Sequence, residues 1–187
     1  MINSERQNMQ YRPSIYSASK IWHAEKWLEM RDKEDFNIIS NWINIPCGTK
    51  ENPTGAKKLT IPEKRVLWSE CAKEVTQADM LIIYAEEGDE QRGVLVELGG
   101  ALSTHTPAYL IGDCETFRAC EHSDVAFAYH PLFHRVISQD YKMGYYEAVN
   151  HWLETYKEIA FHWAMRRTQS PSKFLRALLP NRQAFTL

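Results

Sequence analysis

Apolar residues along this chain fall into short unbroken runs and longer stretches spaced as on a helix. Met80-Leu81-Ile82-Ile83-Tyr84 has no polar interruption, the pattern of a strand covered on both faces, as in a parallel sheet. Pro107-Ala108-Tyr109-Leu110-Ile111-Gly112 repeats that pattern and closes on Gly-Asp. A shorter β-prone run, Ser14-Ile15-Tyr16-Ser17-Ala18-Ser19, opens behind Pro13 and ends in small hydroxyl residues. Residues 36–42 and 135–138 read as two further strands. Helical spacing occupies the intervals: 20–31 with Ser19 as N-cap, 62–77 opened by Pro62, and the segment from Arg92 through Leu102. Residues 145–167 form a long aromatic-rich helical pattern, and 172–179 a short amphipathic one ended by Pro180. Residues 45–59 have no period and are rich in Gly, Pro, Asn and Lys; a loop of that length is often functional. Residues 113–134 read as mixed loop, and 1–12 as polar and loosely docked or disordered.

Strands alternating with helices predict an α/β chain with a mainly parallel sheet. The five strand-like runs give a three-layer, Rossmann/flavodoxin-like sandwich of about five strands flanked by helices. One domain over 13–163 with a helical extension over 164–187 is expected. In such sheets ligands bind beyond the carboxyl ends of the strands, where the strand order reverses. Residues 17–19, the loop 85–92 and Gly112-Asp113 all follow strands and are expected to converge on one edge.

Composition narrows the partners. With 187 residues, a formal net charge of −2 and 44% hydrophobic content, the chain can bury a core and offers no reason to bind a polyanion. The basic residues Arg166, Arg167, Lys173, Arg176 and Arg182 read as a solvated terminal helix. No apolar run approaches the ~18–20 residues that span a bilayer, and the polar start does not resemble a signal peptide. Cys47, Cys71, Cys114 and Cys120 lack a CxxC spacing and read as reduced thiols of a cytoplasmic protein. No metal or other cofactor is expected, because the histidines show no ligand spacing. The wide aromatic stripe after Tyr145 suggests burial against a second copy, hence a homo-oligomer.

The residue that stands out is Glu97, a carboxylate inside Gly93-Val94-Leu95-Val96-Glu97-Leu98-Gly99-Gly100-Ala101-Leu102. It reads either as a helix N-terminal acid favoured by the macrodipole or as a group placed at the mouth of a sheet. Together with Ile15-Tyr16-Ser17-Ala18-Ser19 and Gln77-Ala78-Asp79, this segment resembles the nucleoside 2-deoxyribosyltransferase family and its nucleotide N-glycosidase relatives. The likeness covers residues 13–150. Each motif is short, and the order and spacing carry the resemblance.

The resemblance implies that Glu97 is the nucleophile that attacks the sugar anomeric carbon and that Tyr16 holds it in place. An adjacent carboxylate suits the oxocarbenium-like state of N-glycosidic cleavage. It further implies a substrate edge built from Ser17, Ser19, Lys20, Asp79, Gly93, Gly99 and Gly100. Two candidates come from residue type alone: Asp89 of the acidic loop, and His130, which could reach a phosphate or a base. Lys20 and His23 could meet a 5′-phosphate with the two serines, and Gly99 and Gly100 would let the helix approach the strand. The chain departs from the family at two positions. Cys71 stands where the acid–base aspartate is expected, with Glu70 as the neighbouring carboxylate, and Gln91 stands six residues before Glu97, where transferases often carry a second aspartate. The expected function is therefore cleavage or transfer of the N-glycosidic bond of a (deoxy)nucleoside or its monophosphate. The alternative is a nucleotide-binding or sensing module on the same fold without turnover.

Overall fold

The computed structural model describes residues 12–46, 48–50, 58–121 and 129–156. Four parallel strands form one sheet in the order β1-β2-β3-β4: β1 Ile15–Ala18, β2 Met80–Ala85, β3 Ala108–Gly112 and β4 Phe133–Arg135. Every residue of β1, β2 and β3 is buried, which explains their unbroken apolar runs. The register pairs Tyr16 with Leu81, Ile83 with Leu110, and Leu110 with Arg135. The flanking helices are α1 Ala24–Asp32, α2 Ile61–Gln77, α3 Arg92–Ser103, α4 Glu115–Glu121 and α5 Tyr141–Thr155. The architecture is a small parallel sheet flanked by helices, of a generic Rossmann-like α/β kind.

The strand expected at 36–42 is reduced to one parallel bridge between Ile15 and Ile38. Side chains replace the ladder there: Ser17 N donates to Ser40 Oγ at 2.6 Å, and Trp42 Nε1 donates to the Ser17 carbonyl at 2.8 Å. The chain then turns into a 3-10 segment, Asn41–Asn44. The bridge still matters for topology. From β1 the chain passes to the outer flank at Ile38 and returns through α2 to β2 on the other flank, so its direction across the sheet reverses at β1.

Three other expectations need correction. The last strand ends at Arg135 instead of starting there, because Ile137 N and Ser138 N are drawn to the Glu147 carboxylate at 2.9 and 3.2 Å. The presumed loop after Asp113 contains α4, anchored by buried Phe117, which stacks on Phe133 with ring centroids 6.3 Å apart. Ser19 does not cap a helix; a 3-10 turn, Ile21–His23, precedes α1 and the Ser19 hydroxyl donates to the Lys20 carbonyl. The helix around Glu97 and the one opened at Pro62 match expectation, the latter starting with a Thr60–Glu63 capping box. The aromatic helix begins four residues earlier than expected, at Tyr141, and its continuation past Thr155, the 172–179 helix and the 163/164 boundary lie outside the described residues. So do residues 1–11, Cys47 and most of the 45–59 loop. Among the described residues, no helix is long and apolar enough to cross a membrane.

Alternation along β1 sends consecutive side chains to opposite faces. Tyr16 points toward α2 and α3, where its hydroxyl reaches Glu97. Ser17 points the other way, with its hydroxyl near buried Tyr145 of α5. Trp27 of α1 packs on the same Tyr145 with ring centroids 5.8 Å apart. The sheet's carboxyl edge is shaped by Gly112, whose φ of +76° suits glycine; a Cβ there would lie 2.1 Å from the Ala85 carbonyl oxygen.

Candidate active site

Beyond the carboxyl ends of β1 and β2 lies a cavity of about 400 Å³, within the size range of small-molecule sites. The segment after β1 contributes Ser19, Lys20 and Trp22; the start of α3 contributes Gln91, Gly93 and Glu97. Trp42, Trp68 and Cys71 close the remaining wall. The cavity therefore sits where the chain's direction across the sheet reverses, which is where α/β sheets hold ligands.

Glu97 is the acidic centre of this space. Its Oε1 accepts a 2.6 Å hydrogen bond from the Tyr16 hydroxyl. Burial raises the carboxyl to about 7, against the opposing pull of the Tyr16 hydrogen bond. Tyr16 is fully buried, and burial together with the Glu97 charge pushes its own pKa far upward, so the phenol stays protonated and can only donate to the carboxylate. Cys71, on α2, interacts with the Tyr16 hydroxyl and lies within reach of the Glu97 charge. Burial pushes its thiol up to about 11, so it is a neutral group at neutral pH.

The expected site residues divide sharply. Glu97, Tyr16, Cys71, Ser19, Lys20 and Gly93 converge on this cavity; all but Tyr16 line it directly, and Tyr16 reaches it through Glu97. Lys20 rests its Nζ 5.3 Å from the Trp22 ring centroid, and Ser19 accepts from Trp27 Nε1 at 2.8 Å. Gly93 leaves room for Trp68, whose ring edge would be 3.2 Å from a Cβ at that position. Glu70 is exposed on α2 and does not join Cys71 at the cavity.

Several others serve elsewhere. Ser17 turns its hydroxyl to the opposite face of the sheet, as the strand period requires. Asp79 precedes β2 and therefore lies at the amino edge, where its carboxylate accepts from Ser14 N and Ser14 Oγ, both at 2.8 Å. His130 likewise precedes β4, and its Nδ1 accepts from Leu132 N at 3.2 Å. Gly99 is exposed with open space beside it, and Gly100 faces Val75 of α2, so the pair serves no helix–strand approach. Gly112-Asp113 adjoins the edge without lining the cavity; Arg118 ties Asp113 to Glu87.

Asp89 is not a cavity residue but the clamp behind it. Its buried Oδ2 accepts from Glu86 N at 2.9 Å and faces His23 Nε2 at 3.0 Å. This contact joins the segment after β1 to the segment after β2, the two that border the cavity, and His23 itself does not line the cavity. The sequence reading missed the tryptophans as site residues. Trp22, Trp42 and Trp68 fit the helix and strand patterns of the chain, although Trp22 follows the end of β1, Trp42 follows the Ile38 bridge and Trp68 of α2 faces Gly93 of α3.

Among the described residues, no group of three or more His, Cys, Asp or Glu side chains is arranged to hold a metal ion. No protein-family model matches the chain, and no curated protein matches it.

Proposed function

We propose that this protein cleaves or transfers the N-glycosidic bond of a (deoxy)nucleoside or nucleoside monophosphate, with Glu97 as nucleophile and Tyr16 orienting it. The observation that carries the reading is the Tyr16–Glu97 hydrogen bond on the wall of a cavity at the sheet's reversal point. A carboxylate held by a single phenol donor keeps its other oxygen for an electrophilic carbon. Burial that lifts Glu97 to about 7 leaves it ionised above that pH and reactive as a poorly solvated anion. Lys20 supplies positive charge on the same wall for an anionic substituent. With this function the fold is a three-layer, flavodoxin-like sandwich in which Ile38 is what remains of a fifth strand, and the protein is a cytoplasmic homo-oligomer.

One observation favours a second reading, a nucleotide-binding module without turnover. Cys71, where the leaving base would need a proton donor or acceptor, is a buried neutral thiol, and Glu70 faces solvent. Incubation with deoxynucleosides and their monophosphates, following free base by chromatography, separates the two. Base release that disappears in Glu97→Ala supports the enzyme; ligand binding without release, retained in that variant, supports the module.

A further inference from the structure

Gln91 lines the cavity and is 1% exposed, yet the two ends of its side-chain amide are treated differently. Nε2 donates to the Tyr84 carbonyl at 3.1 Å and faces Asp89 Oδ2 at 3.4 Å. Both are acceptors, and Asp89 is itself fixed by His23 and Glu86 N. A flipped amide would set oxygen against oxygen, so the network holds Oε1 as the end without a partner. A second cavity residue leaves a complementary atom unused: Trp22 Nε1–H is buried and has no acceptor. Buried polar atoms left unsatisfied are uncommon and call for a partner.

From this pairing we infer that Gln91 is a specificity-determining residue that accepts a hydrogen bond from an N–H of the ligand's heterocycle, with Trp22 donating to an acceptor on the same ring. The heterocycle fits this wall better than the sugar does, because the same cavity is lined by the aromatic side chains of Trp22, Trp42 and Trp68. Donor and acceptor on one planar ring edge are the chemistry of an amide-like or amidine-like base. A site with a fixed carbonyl rejects a ring lacking the matching N–H, because the carbonyl is then left buried and unpaired. The inference rests on the proposal that the cavity takes a nucleoside or nucleotide, but it concerns binding, and it stands whether or not the bond is cleaved.

Its test is a calorimetric comparison on the intact protein of three ligands: a purine deoxynucleoside bearing ring and exocyclic N–H groups, its unsubstituted-purine analogue with no N–H on the ring, and its 3′-deoxy analogue. The expected result is a loss of about ten-fold or more for the ring lacking N–H, with a smaller change for the sugar lacking its hydroxyl. In Gln91→Leu the first ratio falls to near one, and Trp22→Phe weakens binding of the parent ligand. A ratio near one in the unaltered protein overturns the inference without using any variant, as does a loss that follows the sugar hydroxyl instead of the ring N–H. Base release with an unselective ring would leave the proposed activity standing while this inference fails. Absence of binding by all three ligands would remove both.

Discussion

Tyr16 and Glu97, 81 residues apart in sequence, meet through a 2.6 Å hydrogen bond in which the phenol donates to the carboxylate. Tyr16 is the group that lowers the Glu97 pKa against burial. Tyr16→Phe removes that opposition, so the Glu97 titration moves above about 7. If ionised Glu97 drives base release, the rising limb of kcat/KM against pH shifts upward by on the order of one unit in the variant. A limb that stays in place would mean that Tyr16 does not tune the reacting carboxylate.

Glu97 also imposes a pH dependence on stability. Its folded-state pKa of about 7 exceeds the ordinary 4.5, so between these values the folded chain holds more protons than the unfolded chain. Stability therefore falls as pH rises through that window, and the full penalty is present above it. Glu97→Gln is expected to flatten this slope. At about pH 8 the variant should be more stable than the parent by on the order of 1–3 kcal/mol, with little difference near pH 5. Urea unfolding at the two pH values measures it; parallel shifts at both would argue against a half-buried, reluctant carboxylate.

Cys71→Asp places a second carboxyl beside Glu97 and Tyr16. Two such groups titrate as a pair, one held protonated to higher pH, which supplies a stronger proton donor than the thiol. Base release is expected to rise by at least about ten-fold, with a bell-shaped pH profile in place of a single limb. An unchanged rate would assign the proton transfer to another group or to water.

Asp79 offers the contrasting case. Its carboxylate fastens Ser14 at the amino edge, away from the cavity. Asp79→Ala should cost about 1–3 kcal/mol in denaturant unfolding and leave ligand affinity unchanged. Loss of affinity in a variant that remains folded would return Asp79 to the site.

The contrast between these residues shows which features sequence could reveal. Unbroken apolar runs marked β2 and β3 because both faces of those strands are covered, and strand ends marked where a ligand edge should form. Glu97 was legible because a carboxylate in an apolar helix beside glycines needs a reason. Which edge a polar residue joins depends on whether it precedes or follows its strand, and that consideration removes Asp79 and His130. The period of two removes Ser17 in the same way. The place of Asp89 behind the cavity has no local signature, since its buried carboxylate meets His23 across 66 residues. The strand at 36–42 failed because Ser40 and Trp42 use side chains where a ladder would use backbone, which no propensity records.

The central claim is that Glu97 faces the anomeric carbon of a bound nucleoside or nucleotide. A crystal structure of Glu97→Gln soaked with a deoxynucleoside monophosphate tests it most directly. The account predicts the ligand in the cavity beyond β1 and β2, with the anomeric carbon about 3–3.5 Å from the side chain at position 97 and aligned for attack. A ligand seated elsewhere, or one whose sugar turns away from residue 97, would contradict it.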